Sequence, residues 1–144
     1  MIRTLIVDDD SLIHVTLRSL IDWESCGCTV VQDCSGGSQA LSYLMEHPVD
    51  LLITDIKMPG MDGLELMRQL RQSGSIPVTV VLSGYDEFEL VREAFRLGAY
   101  DYLLKGNISQ TSLTQLLNGL REKVFHASGP NPASAPAGAG AELE

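Results

Sequence analysis

The chain has 144 residues, 44% of them hydrophobic, and a formal net charge of −9 at pH 7. That is the size of one ordinary domain with enough apolar matter for a core, and the acidity argues against this stretch gripping nucleic acid by itself, since that needs a basic face. No apolar run reaches the roughly 18 residues of a membrane helix, and Met1-Ile2-Arg3 leads into a short strand instead of a signal peptide, so a soluble cytoplasmic protein is expected.

Apolar periodicity changes repeatedly along the chain. Ile2 to Val7 reads as a buried strand, and Ser11 to Ile21 carries Leu12, Ile13, Leu17, Leu20 and Ile21 at helical spacing, with Asp10 or Ser11 as its cap. The alternation continues with strand 29–32 and helix 38–45, strand 51–54 and helix 64–72, strand 78–82 and helix 86–97. Strand 100–104 and helix 110–124 complete it. Short apolar strands alternating with helices of about ten residues predict a parallel sheet covered on both faces, because right-handed crossovers place helices on each side. The expected fold is a doubly wound α/β domain over residues 1–125, with five parallel strands and five helices.

Beyond Phe125 the composition shifts to "HASGPNPASAPAGAGAELE", with almost nothing to bury. Residues 126–144 read as a flexible linker or an appended tail, Leu143-Glu144 being the suspect end. Cys26, Cys28 and Cys34 are odd in number and lack zinc-site spacing, so they read as reduced and structural. His14, His47 and His126 have no evident chemical partners and read as solvated or packing residues. Met58, Met61 and Met67 look like loop and core filler, and Trp23 like an anchor for the end of the first helix.

The polar residues at the strand ends carry the chemistry. Asp8, Asp9 and Asp10 follow the first strand, Asp55 the third, Ser83 the fourth and Lys105 the fifth. In an open parallel sheet, ligands bind beyond the carboxyl ends of the strands near the switch in strand order. With order 2-1-3-4-5, the first and third strands are neighbours at that switch and their carboxylates lie close together. Like charges so near are unfavourable unless protonated or neutralised by a cation. Hard oxygen ligands in small number suit Mg²⁺, which usually shares its sphere with water and phosphate. A carboxylate can attack phosphorus to give an acyl phosphate, a reaction that needs mainly positioning and charge neutralisation. Asp55 is then the nucleophile, Lys105 supplies a positive charge and Ser83 a hydroxyl donor. Pro59, Gly60 and Gly63 shape the turn after Asp55, where backbone approaches metal and phosphate closely.

The stretches "LIVDDD", "LLITDIKMPGMDGLEL", "VVLSGYDEF" and "AYDYLLKG" resemble the receiver domain of two-component response regulators, over Met1 to about Val124. The resemblance implies the flavodoxin-like fold, a phosphoacceptor at Asp55, and a Mg²⁺ site made of Asp8, Asp9, Asp55 and the Lys57 backbone carbonyl. It further implies that Ser83 and Lys105 contact the phosphoryl oxygens and that Tyr102 is the aromatic switch. Lys57 and Tyr85 would tune water's access to the acyl phosphate. The implied partner is a sensor histidine kinase in a phosphorelay, and the implied output face is helix 4, strand 5 and helix 5, which would dimerise or release an output module. "LIDWESCGCTVV" and "LSGYDEFELVREAF" are similar to the subgroup joined to an arabinose-regulator-type helix-turn-helix module, which implies transcriptional regulation by a DNA-binding module outside this chain. Gly106 departs from the family, which usually has a cis proline after its lysine, so the loop into the fifth helix is expected to differ.

Two rivals fit parts of the pattern. "LIVDDDSL" also suits an Asp-x-Asp phosphohydrolase with Asp8 as nucleophile and Asp10 as acid/base, although there is no room for a cap domain and the Asp55 turn is left unexplained. A degenerate receiver acting only as a protein-binding module is the other, kept open by Gly106 and opposed by the intact acidic set.

Overall fold

The computed structural model describes residues 1–125; the 126–144 segment, with its linker expectation and His126, lies outside the described residues. The strands are β1 (Ile2–Val7), β2 (Cys28–Cys34), β3 (Leu51–Asp55), β4 (Val78–Ser83) and β5 (Asp101–Leu104). The helices are α1 (Ser11–Leu20), α2 (Gly37–Glu46), α3 (Gly63–Ser73), α4 (Phe88–Arg96) and α5 (Gln110–Leu120). All neighbouring strands pair in parallel, and their order is β2-β1-β3-β4-β5. This is the doubly wound, flavodoxin-like sheet that the alternation predicts.

Strand residues alternate between two covered faces, as the pleat requires. Ile6, Leu51, Ile53, Val80 and Leu82 pack with Leu17 of α1 and Leu113, Leu117 and Leu120 of α5. Leu5, Val7 and Leu52 pack on the opposite face with Ala40 of α2 and Leu66 and Leu70 of α3. Val81 lies with Met67 of α3 and Val91 and Ala94 of α4. Because both faces are buried, the strands can be apolar throughout, and the polar residues are displaced to their ends.

Local chemistry sets the element boundaries. Asp10 caps α1, its Oδ1 accepting from the Leu12 N–H at 2.9 Å. Trp23 donates from Nε1 to the Leu17 carbonyl at 2.9 Å and so anchors the end of that helix, as expected. β2 runs longer than the 29–32 expectation, and its extra pairs with β1 carry it out to Cys34 opposite Val7. Helix α4 begins at Phe88 and not at 86. Glu87 has non-helical backbone angles, and its carboxylate accepts from the Gly84 N–H at 2.9 Å, closing a turn ahead of the helix. The fifth helix ends at Leu120 and continues as a π turn, Arg121–Phe125, from which Val124 and Phe125 pack on the core.

The three cysteines are free and buried. Burial pushes the Cys28 and Cys34 thiols up to about 11, away from the reactive thiolate and in keeping with a structural role. Met58 and Met67 are buried in separate clusters and Met61 packs against the one that holds Met58, which is the filler role expected of them. His47 stacks on Tyr43 with ring centroids 4.2 Å apart. No helix among the described residues is long and apolar enough to cross a membrane.

Candidate functional site

The carboxyl ends of β1, β3, β4 and β5 bring the strand-end residues together. Asp55 is the last residue of β3 and is 3% exposed; Asp8, just past β1, is fully buried. Carboxylate oxygens of Asp8, Asp9 and Asp55 all lie within 4.8 Å of one another. Lys105 follows β5 directly, and its Nζ donates to Asp55 Oδ2 at 2.8 Å. The same Nζ faces Asp8 Oδ2 at 3.0 Å as an ion pair, without the alignment of a hydrogen bond. Ser83 ends β4 with its hydroxyl buried and without a hydrogen-bond partner among the described residues.

Two of the three carboxylates, Asp8 and Asp55, meet the Lys105 ammonium, and the Asp55 titration reflects the crowding. Burial pushes the Asp55 carboxyl up to about 6; the Lys105 hydrogen bond opposes this and the Asp8 charge adds to it. Burial pulls the Lys105 ammonium down, but its hydrogen bond to Asp55 and its pairing with the Asp55 and Asp8 carboxylates outweigh that and leave it raised. Lys105 is therefore charged and Asp55 is a destabilised carboxylate.

The turn after Asp55 explains its glycines. Gly60 has φ of 73°, in the left-handed region. At Gly63 the reason is contact: its N–H donates to the Ile56 carbonyl at 2.8 Å, and a Cβ there would overlap the Asp55 carbonyl oxygen. Asp62 then caps α3, accepting from the Glu65 N–H at 2.9 Å. Lys57 lies exposed on this loop.

The loop beyond β5 is compact around Gly106. Lys105–Asn107 form a short 3₁₀ turn, there is no cis peptide among the described residues, and Tyr85 leans over Gly106, where a Cβ would come within 3.1 Å of its ring. The lysine nonetheless reaches both carboxylates. Tyr102 is 40% exposed and meets Phe95 of α4 edge-on, with centroids 6.1 Å apart. Its ring thus lies outward, on the α4–β5 side.

One expectation is corrected. His14 is not merely solvated or filling space: it is largely buried, with Nε2 2.8 Å from the Asp8 carbonyl and Nδ1 3.2 Å from the Asp33 carboxylate. A histidine four residues into a helix gives no sequence signal of partners on two strands. Asp10, offered to the hydrolase reading as acid/base, uses its carboxylate as a helix cap.

Residues 4–118 match the response regulator receiver domain family. The chain belongs to that family. The receiver is 34% identical over 129 residues to the transcriptional regulatory protein YesN of Bacillus subtilis, covering 88% of this chain and 35% of that protein. It is 34% identical over 100 residues to the DNA-binding transcriptional regulator NtrC of Klebsiella pneumoniae, covering 69% and 21%. Among solved structures it is similar to the receiver (REC) domain of AraT, a response regulator from Geobacillus stearothermophilus, with TM-score 0.80, 36% identity, and 90% and 100% of the two chains covered. The receiver spans about half or less of the length of these curated relatives. A receiver is a phosphoacceptor switch and not a turnover enzyme, which removes the hydrolase alternative. The Asp8, Asp9 and Asp55 cluster is the acidic pocket typical of such domains.

Proposed function

We infer that Asp55 accepts a phosphoryl group from the phosphohistidine of a sensor histidine kinase in a Mg²⁺-dependent reaction. The observation that carries this reading is a buried carboxylate at a strand end, bound by Lys105 at 2.8 Å, beside the buried hydroxyl of Ser83 that no protein group satisfies. A buried polar atom without a partner costs about 1–3 kcal/mol, and a phosphoryl oxygen is the acceptor that would repay it.

Asp8, Asp9, Asp55 and the Lys57 carbonyl would hold Mg²⁺; the pooled hard oxygens, among them an Asp8 Oδ2 that accepts no hydrogen bond, fit such an ion. When bound, the ion offsets the charge of the carboxylates and of the incoming phosphoryl oxygens. In the transfer, one Asp55 carboxylate oxygen bonds to phosphorus as the P–N bond breaks. The electron pair stays on the kinase imidazole, which takes a proton from solvent. Lys105 Nζ neutralises one phosphoryl oxygen and Ser83 Oγ donates to another. Ser83 is drawn toward the new group, and the outward ring of Tyr102 turns into the space it leaves. The α4–β5–α5 face is remodelled as a result and serves homodimerisation or release of an output module.

The names of the relatives, a transcriptional regulatory protein and a DNA-binding transcriptional regulator, support a DNA-binding output in the full-length protein; its arabinose-regulator helix-turn-helix type rests on the resemblance of "LIDWESCGCTVV" and "LSGYDEFELVREAF" alone, and a cytoplasmic location goes with that reading. The acidic domain itself binds no DNA, and residues 126–144 would tether it. The intact acidic set argues against a degenerate receiver. Incubation with acetyl phosphate, with and without Mg²⁺, followed by intact-mass measurement and site mapping, tests the chemistry. One phosphoryl on Asp55, dependent on Mg²⁺ and lost in Asp55→Asn, is expected; no adduct on the native chain refutes it.

A further inference from the structure

His14 bridges the ends of two strands. Its Nε2 lies 2.8 Å from the main-chain carbonyl of Asp8, beyond β1, and its Nδ1 3.2 Å from Asp33 Oδ1 near the end of β2. A carbonyl oxygen has no proton to give, so Nε2 is the donor in the first contact, and Nδ1 donates to the Asp33 carboxylate in the second only when the ring carries both protons, as the imidazolium. Asp33 is held in turn, its other oxygen accepting from Arg18 Nε at 2.9 Å, one turn further along α1. The imidazole is thus fixed from behind while its front edge grips the backbone of Asp8.

Asp8 is constrained on every side but one. Its N–H donates to the Cys34 carbonyl at 3.0 Å, its C=O accepts from His14, and its Oδ1 accepts from the Asp10 N–H at 2.8 Å. The remaining oxygen, Oδ2, is the one directed at Lys105, whose Nζ also binds Asp55. Where Oδ2 points depends on the peptide plane on either side of Asp8. Of the bonds holding the Asp8 backbone, the one from His14 is made by a side chain and can be removed by substitution without touching the cluster.

We propose that His14 is a positioning residue for the divalent cation: by donating from Nε2 to the Asp8 carbonyl, with Asp33 and Arg18 behind it, it orients Asp8 and sets the affinity of the acidic cluster for Mg²⁺. The proposal rests on the reading of Asp8 as a Mg²⁺ ligand. Groups that orient a ligand without touching the metal commonly change metal affinity strongly when removed, because the ligand then pays an ordering cost on binding.

The test is calorimetric titration of Mg²⁺ into the full chain, independent of phosphorylation. His14→Leu keeps bulk and loses the donor, and its dissociation constant for Mg²⁺ is expected to rise about tenfold. His14→Gln keeps an N–H donor and is expected to stay within about threefold of the native value. Unchanged or tighter Mg²⁺ binding in His14→Leu, or an equal loss in His14→Gln, overturns the proposal. Should His14→Leu not fold, Asp33→Asn decides: about threefold weaker binding is expected, and unchanged binding overturns it. A native chain that binds no Mg²⁺ instead overturns the parent reading of Asp8, so the two failures are distinct.

Discussion

Replacing Asp55 by asparagine should make the Mg²⁺-free receiver more stable, although it destroys the phosphoacceptor. Asp55 is 3% exposed and sits among Asp8, Asp9 and a single cation, Lys105. Burial, with Lys105 opposing and Asp8 adding, pushes its carboxyl from an ordinary 3.8 to about 6. That difference corresponds to about 3 kcal/mol favouring the neutral over the charged form in the fold. The folded state holds the proton more tightly than the unfolded chain, so the contribution of Asp55 to stability is most favourable below about pH 4, declines as pH rises, and is fully lost above about pH 6. Asparagine cannot ionise and escapes that decline. Allowing for the amide's poorer fit to Lys105, Asp55→Asn should gain about 2 kcal/mol at about pH 7.5, or roughly 6–8 °C in Tm for a domain of this size. At about pH 5 the gap should shrink to about a third, because the native carboxyl is then largely protonated in the fold. Urea and thermal unfolding of both proteins in EDTA measure this directly. Added Mg²⁺ should then stabilise the native chain and leave the variant nearly unmoved. A variant less stable than native at neutral pH, or a gap indifferent to pH, would refute the account of charge crowding at Asp55.

Asp10→Ala removes the 2.9 Å cap bond to Leu12 and should cost about 1 kcal/mol in urea unfolding; its phosphorylation rate should stay near native, and a large loss of rate would restore a chemical role to Asp10. Ser83→Ala deletes a hydroxyl that has no protein partner, so the unphosphorylated domain should be unchanged or more stable by up to about 1 kcal/mol. The same variant should lose the movement of Tyr102 on phosphorylation, read from its ring resonances by NMR; a Tyr102 response equal to native would break the proposed link. Gly63→Ala forces a methyl onto the Asp55 carbonyl and should destabilise by about 1–3 kcal/mol. The control is Gly119→Ala in α5, where a Cβ meets nothing within 4 Å, and it should stabilise by about 0.5–1 kcal/mol. Equal responses at the two glycines in denaturant unfolding would contradict the close approach at Gly63.

What the sequence determined by itself was whatever depends on neighbours along the chain. Strand-helix alternation, the caps at Asp10 and Trp23, and the placing of Asp55, Ser83 and Lys105 at strand ends follow from local periodicity and local hydrogen bonding, and the parallel sheet follows from them because apolar strands need cover on both faces. Only the tertiary structure decided the rest. Periodicity ran the fourth helix back to residue 86, whereas Glu87 turns back onto the Gly84 N–H and delays it to Phe88. Gly106 led to the expectation of a different loop after Lys105, and the fold carries Nζ to Asp55 regardless, across 50 residues of sequence. His14 looked inert because its partners, the Asp8 carbonyl and Asp33, come to it from two strands. The rise of Asp55 to about 6 likewise needs the burial and the Asp8 and Lys105 contacts, which exist only once the sheet has closed. A residue's place on its own element is a short-range property, but its pairing energy and its charge depend on distances that separate stretches of chain acquire only by packing together.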